Sequence, residues 1–157
     1  EAVLPGLAPW YQLLGDPRTW HFGFYGQYAE ALIRGRERVY LDRFWDEFSI
    51  RSTAISEDVR ERYAEHYRKP GGTRSALMQF AALEEDAADN IAFAKAKLPI
   101  PLLGMGGSAS LSGLVSEQAK LLSEKPFGVV IEQAGHWLIE EQPERTVSAI
   151  VDFIAST

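Results

Sequence analysis

The sequence predicts an α/β fold, in which a helical, aromatic-rich stretch precedes the carboxyl-terminal part of a parallel sheet. Three observations carry this. Val129-Val130-Ile131-Glu132 is an apolar, β-branched run. It stops at the small-residue turn Ala134-Gly135, behind which come His136, Trp137 and a polar, helix-forming segment. Ile100-Pro101-Leu102-Leu103-Gly104-Met105-Gly106 is a second such run, and a helical pattern over 116–122 separates the two. Two strands do not make a stable sheet. Apolar runs of this kind need helices on both faces and further parallel strands as neighbours. The expectation is part of a larger α/β sheet whose other strands lie upstream or on another chain.

Taken in order, Glu1-Ala2-Val3-Leu4-Pro5-Gly6 reads as the end of a strand entering a loop. Prolines 5, 9 and 17 and glycines 6 and 15 break any long helix there, leaving one helical turn over 10–14. Thr19-Trp20-His21-Phe22-Gly23-Phe24-Tyr25 is dense in aromatics and holds a histidine. A helix over 28–33 closes at Gly35 with basic residues near its end. Over 37–48, Val39, Tyr40, Phe44, Trp45 and Phe48 recur at helical spacing as an amphipathic stripe. Ser56 before Glu57 and Asp58 opens a helix to 68, which Pro70-Gly71-Gly72 ends. A helix over 73–83 leads into an acidic patch and an alanine-rich helix to Lys95, and the closing helix covers 145–154. The chain thus divides into a lead-in (1–18), a helical unit (19–97) and a β-α-β-α unit (98–157).

Composition narrows the chemistry. The 157 residues carry a net charge of −6, are 46% hydrophobic and include no cysteine. This suits a soluble globular domain with a real core, for which the cytoplasm is the favoured compartment. The acidic balance argues against a nucleic-acid partner or an anionic membrane surface, both of which need clustered Lys and Arg. The absent thiols exclude a disulfide framework, a thiolate metal site and a cysteine nucleophile. The apolar runs fall short of the ~18 residues a membrane span needs. A histidine in a turn is as a rule a surface or packing residue. His136, however, lies at the carboxyl edge of a predicted sheet, where open α/β sheets place their ligands, and its free pKa near ~6.5 suits proton transfer.

Four stretches, in this order and spacing, resemble the carboxyl-terminal half of an α/β-hydrolase-fold epoxide hydrolase. They are Glu1-Ala2-Val3-Leu4-Pro5-Gly6, Trp20-His21-Phe22, Glu37-Arg38-Val39-Tyr40-Leu41-Asp42-Arg43-Phe44 and Gly135-His136-Trp137-Leu138-Ile139-Glu140-Glu141. The resemblance implies that 19–97 is an inserted helical cap, or lid, and 98–157 the carboxyl-terminal part of the hydrolase core. It implies a reaction in which an Asp on a nucleophile elbow opens an epoxide, forming an ester that a histidine-activated water then hydrolyses. His136 matches that histidine. The acid that orients it is absent from the turn after the penultimate strand, since no carboxylate occurs between Gly104 and Val115. The family's other location for this acid is the end of the sixth strand, which Glu1 matches. His21 matches the cap histidine that donates to the ring oxygen.

The resemblance also implies departures. The cap tyrosine expected beside His21 falls on Phe80, which donates nothing, leaving Tyr25 or Gln79 as replacement donors. Trp20, Phe22, Phe80 and Trp137 would wall a substrate pocket for a small hydrophobic epoxide. No cofactor and no metal is implied, and homo-oligomerisation is left open. The nucleophile and oxyanion hole would come from an amino-terminal half, as a separate chain or an upstream segment, so this half alone is expected to be inactive. A haloalkane or haloacid dehalogenase of the same fold shares the ester chemistry and stays open, as does a catalytically impaired binding homologue.

Other motifs read as structural. Gly104-Met105-Gly106-Gly107-Ser108-Ala109 formally fits a dinucleotide fingerprint, but lies late in the chain beside a histidine loop. His66 falls on a charged helix face. Glu140, Glu141 and Glu144 read as a helix start favoured by the backbone dipole.

Overall fold

The computed structural model describes residues 1–157. Six helices come first: α1 (Trp10–Leu14), α2 (Gln27–Ile33), α3 (Glu37–Glu47), α4 (Glu57–Arg68), α5 (Gly72–Met78) and α6 (Leu83–Phe93). They are followed by β1 (Leu98–Gly107), α7 (Leu114–Leu122), β2 (Ser123–Ile131), α8 (Leu138–Glu141) and α9 (Pro143–Ser156). β1 and β2 pair in parallel, with Gly104 opposite Gly128 and Gly107 opposite Ile131.

The first six helices hold two small cores. Leu41 and Trp45 of α3 pack with Ile55 and Ala64, and Ala29 and Ile33 of α2 pack with Leu77 of α5. The predicted aromatic stripe therefore splits between two faces. Residues 41 and 45 face the core shared with Ile55 and Ala64, while Phe44 and Phe48, with Tyr40, form ring contacts on the adjacent face. Arg60 of α4 is buried. It is held by Asp42 and Asp46 of α3 and by the carbonyls of Ser52 and Ile55. Burying a guanidinium is tolerable only with its donors matched in this way.

Two boundaries differ from the sequence reading. The helix expected over 73–83 is interrupted at Gln79–Ala82 by a 3-10 turn, after which α6 begins with Glu84, Glu85 and Asp86 in its first turn. The acidic patch is thus a helix start, where carboxylates complement the backbone dipole. β2 begins at Ser123, well before the expected residue 129. Pro126 and Gly128 read as turn formers, yet a strand with an unpaired edge tolerates a proline that donates no hydrogen bond.

The glycines of β1 are explained by packing. A Cβ on Gly104 would run into the Val115 carbonyl, one on Gly106 into that of Ser112, and one on Gly107 into that of Gly135. Only bare backbone lets α7 and the histidine loop approach this closely.

The two-stranded sheet leaves apolar surface open. Leu98, Ile100, Phe127 and Val130 of the strands and Val147, Val151 and Ile154 of α9 are exposed. A groove of about 670 Å³ between β2 and α9 is lined by Leu103, Phe127, Val129, Ile131 and Phe153 among others. No helix is long and apolar enough to cross a membrane.

Candidate active site

His136 stands in the turn that follows β2. The turn uses Gln133 at φ 59°, and it is pinned to the end of α3, because the His136 backbone N–H donates to the Phe48 carbonyl at 2.7 Å. A Cβ on Gly135 would collide with that same carbonyl, which makes the glycine a condition of the contact. The imidazole Nδ1 lies 3.3 Å from Glu1 Oε1, and about a third of the His136 side chain (33%) is exposed while that of Glu1 is wholly enclosed (0%).

Glu1 is gripped on every oxygen. Its Oε2 accepts the Gly107 N–H at 2.6 Å and its Oε1 the Leu111 N–H at 3.1 Å. Burial pushes this carboxyl up. Hydrogen bonds from His136, Ser110 and the amides of Gly107 and Leu111 outweigh it and hold the pKa below the ordinary value. An ionised acceptor beside Nδ1 places the imidazole proton there and leaves the Nε2 lone pair facing outward.

The lead-in that carries Glu1 is held at both sides. Gln118 of α7 accepts from Leu4 N–H at 2.6 Å and donates to the carbonyls of Leu4 and Leu7 at 3.0 and 3.1 Å. Asn90 of α6 donates to the Pro5 carbonyl at 3.1 Å. Gly6, at φ +80°, passes so close to Ala87 that no side chain fits. Gln118 is nearly solvent-free, and sequence patterning gave no sign of its role.

His21 sits in a 3-10 segment, Pro17–Gly23, inside an aromatic cage. Its ring centroid is 4.5 Å from Phe22, 4.9 Å from Phe44 and 5.4 Å from Phe80. Burial pushes its pKa down to about 4; a backbone interaction with Arg18 opposes this, while the charges of Arg43 and His136 reinforce it. At neutral pH His21 is therefore an uncharged ring with one N–H to donate, a hydrogen-bond donor and not an imidazolium acid. Its Nδ1 is buried without a partner. Phe48 lies between the two histidines, 6.2 Å from the His21 ring and 6.0 Å from that of His136.

The structure brings most of the sequence-predicted residues together. Trp20, Phe22 and Phe80 contact the His21 ring, and Trp137 lies edge-on to His136 at 4.9 Å while its Nε1 donates to the Phe44 carbonyl at 3.3 Å. The two replacement donors are placed differently. Tyr25 is exposed, and the Gln79 amide donates to the Ala76 carbonyl of the preceding helix, α5, at 2.9 Å.

Glu141 has a second role. It lies in the first turn of α8, the helix start the sequence reads, but it is also 3% exposed and bridges the two parts of the site. Oε1 accepts from Gly135 N–H at 2.9 Å, and Oε2 accepts from Ile50 N–H at 2.8 Å and Arg51 N–H at 3.2 Å. The carboxylate ties the residue before His136 to the segment after α3. Ile50 and Arg51 lie 91 and 90 residues away in sequence, so no local pattern reveals the bridge.

Comparisons with known proteins bear on the fold and the sequence resemblance. No protein-family model matches the chain. The chain is 29% identical over 140 residues to the soluble epoxide hydrolase of Corynebacterium sp. (strain C12), covering 86% of the chain and 49% of that protein. It spans about half the length of this curated relative. Among solved structures, wild-type Cfl2 of Burkholderia cenocepacia matches with a TM-score of 0.80 and 29% identity over 98% of this chain and 51% of that one. The epoxide hydrolase CorEH matches with a TM-score of 0.82 and 26% identity over 96% of this chain and 53% of that one. The chain has the fold of the carboxyl-terminal part of an α/β hydrolase, and its sequence resembles those of epoxide hydrolases.

Proposed function

We propose that these residues are the cap (19–97) and carboxyl-terminal core (98–157) of an epoxide hydrolase that converts a small hydrophobic epoxide to a vicinal diol. An aspartate from the amino-terminal half, on an upstream segment or a partner chain, opens the ring and forms an ester. His21 donates a hydrogen bond to the ring oxygen as alkoxide charge develops; a neutral imidazole N–H serves this purpose without a prior protonation step. His136 Nε2 then takes a proton from water, and the hydroxide attacks the ester carbonyl. The alcohol leaves as the diol, the aspartate is regenerated and the proton returns to product or solvent. Glu1 orients the imidazole and stabilises its protonated form.

The observation that carries this reading is the Glu1–His136 pair, with a second histidine, His21, in the aromatic cluster that Phe48 links to it. The exposed apolar faces of the sheet and α9 support the need for an amino-terminal half.

Two substitutions in the complete protein test the roles. His136→Gln is expected to trap the ester, seen as a mass gain of one substrate on the intact protein; turnover at the wild-type rate would exclude His136 as the base. His21→Phe is expected to lower kcat/KM about 10²–10³-fold by slowing ring opening. Single-turnover kinetics should show that hydrolysis of the preformed ester is much less affected. Halide release from haloalkanes or haloacids, without diol from styrene oxide, would favour the dehalogenase alternative.

A further inference from the structure

Three buried side-chain polar atoms have no hydrogen-bond partner, and all three belong to one region: His21 Nδ1, Arg43 Nη1 and Ser49 Oγ. Buried polar atoms are nearly always satisfied, so each exception calls for an explanation. The proposed epoxide chemistry gives His21 a use. It leaves Arg43 without one.

Arg43 projects from α3 into the same aromatic cluster. Its guanidinium carbon stands 5.0 Å from the Trp20 ring centroid, 5.3 Å from that of Phe44 and 5.8 Å from that of Phe48. The Phe44 and Phe48 rings are also neighbours of His21. Nη2 pairs at 2.8 Å with Glu47, whose side chain is half exposed, so the solvent side of the guanidinium is matched. The inner nitrogen is not. Aromatic faces hold a cation in place through their quadrupoles but accept hydrogen bonds poorly. A guanidinium cannot shed its charge, and its donor fork fits a planar carboxylate.

We propose that Arg43 is a specificity-determining residue that binds the carboxylate of an epoxide substrate bearing an acid group. This rests on the epoxide-hydrolase reading and narrows its substrate class. Because Arg43 and His21 contact the same Phe44 ring, the acid and the epoxide should be separated by roughly the width of one aromatic ring. A suitable probe is styrene oxide carrying a para-carboxylate, compared with its methyl ester.

The test uses the complete protein. The wild type should prefer the acid to the ester, and Arg43→Met should reduce the acid-to-ester ratio of kcat/KM at least 30-fold, through KM for the acid. Arg43→Lys should restore part of the ratio, since it returns the charge but not the fork. Circular dichroism and the thermal midpoint verify that each variant is folded. Equal preference for acid and ester in the wild type, or an unchanged ratio in Arg43→Met, would overturn the proposal.

Benzoate binding, followed by tryptophan fluorescence, separates this proposal from the reading beneath it. Benzoate that binds the wild type and not Arg43→Met supports the carboxylate site even if neither epoxide yields a diol, a result that would defeat the hydrolase reading alone. Absence of benzoate binding, with chloride or bromide binding at Arg43 instead, would overturn the carboxylate proposal and assign the site to halide.

Discussion

Replacing Glu1 by glutamine in the complete protein is expected to lower kcat about 10³–10⁴-fold with little change in KM. The size follows from the geometry of the pair. Glutamine keeps the short bond from the Gly107 N–H only by placing its one oxygen there. The group it then turns towards His136 is an NH₂, which offers a proton to Nδ1 where the carboxylate accepted one. The imidazole must adopt the other tautomer, with its proton on Nε2, and that nitrogen can no longer take a proton from water. The ester should accumulate, as in His136→Gln, and intact mass spectrometry measures it. A variant with wild-type kcat would show that another group orients His136.

The same substitution has a pH signature. The Glu1 carboxyl is held below its ordinary value in the folded protein, so between the folded and unfolded pKa values the unfolded chain binds more protons. Its contribution to stability is complete above the unfolded value near 4.5 and is lost as pH falls through the folded value. The thermal-midpoint gap between wild type and Glu1→Gln should therefore be widest near neutrality and close progressively below about pH 4.5. A gap independent of pH would mean that the buried carboxylate carries no net stabilisation from its partners.

Glu141→Ala is expected to be the most destabilising change at the site, by about 3–5 kcal/mol. It orphans the N–H groups of Gly135, Ile50 and Arg51 together, and each buried donor left unmatched costs about 1–3 kcal/mol, discounted because Ile50 and Arg51 are partly solvated. The loss should also reach kcat, since the His136 N–H bond to Phe48 depends on the same junction. Hydrogen exchange should accelerate at 49–51 and at 134–136 in step, which a purely local defect in α8 would not produce. Glu141→Gln, which keeps one acceptor, should fall between wild type and alanine in both thermal midpoint and kcat.

Much of this was readable along the chain because it is local. The β-branched run before Ala134-Gly135-His136 marks a strand and its carboxyl-edge turn, and the Trp10–Leu14 turn and the helices beginning at Glu37 and Glu57 start where periodicity and capping residues place them. The exceptions are also physical. Pro126 and Gly128 disguise the first half of β2, since an edge strand accepts residues that a central strand would reject. The aromatic stripe of α3 was visible but not its division between two faces, which is set by the helices that α3 packs against.

The sequence by itself determined the fold class, the residue types available for proton transfer and the two histidines of the candidate site, because periodicity, turn chemistry and side-chain pKa are properties of neighbouring residues. Only the tertiary structure decided that Glu1 reaches His136, that Glu141 and Gln118 clamp the segments around them, and that Arg43 lies among the aromatic rings with an unmatched donor. Those are contacts between residues far apart in the chain. Burial and the matching of donors to acceptors are settled only when the helices and strands come together.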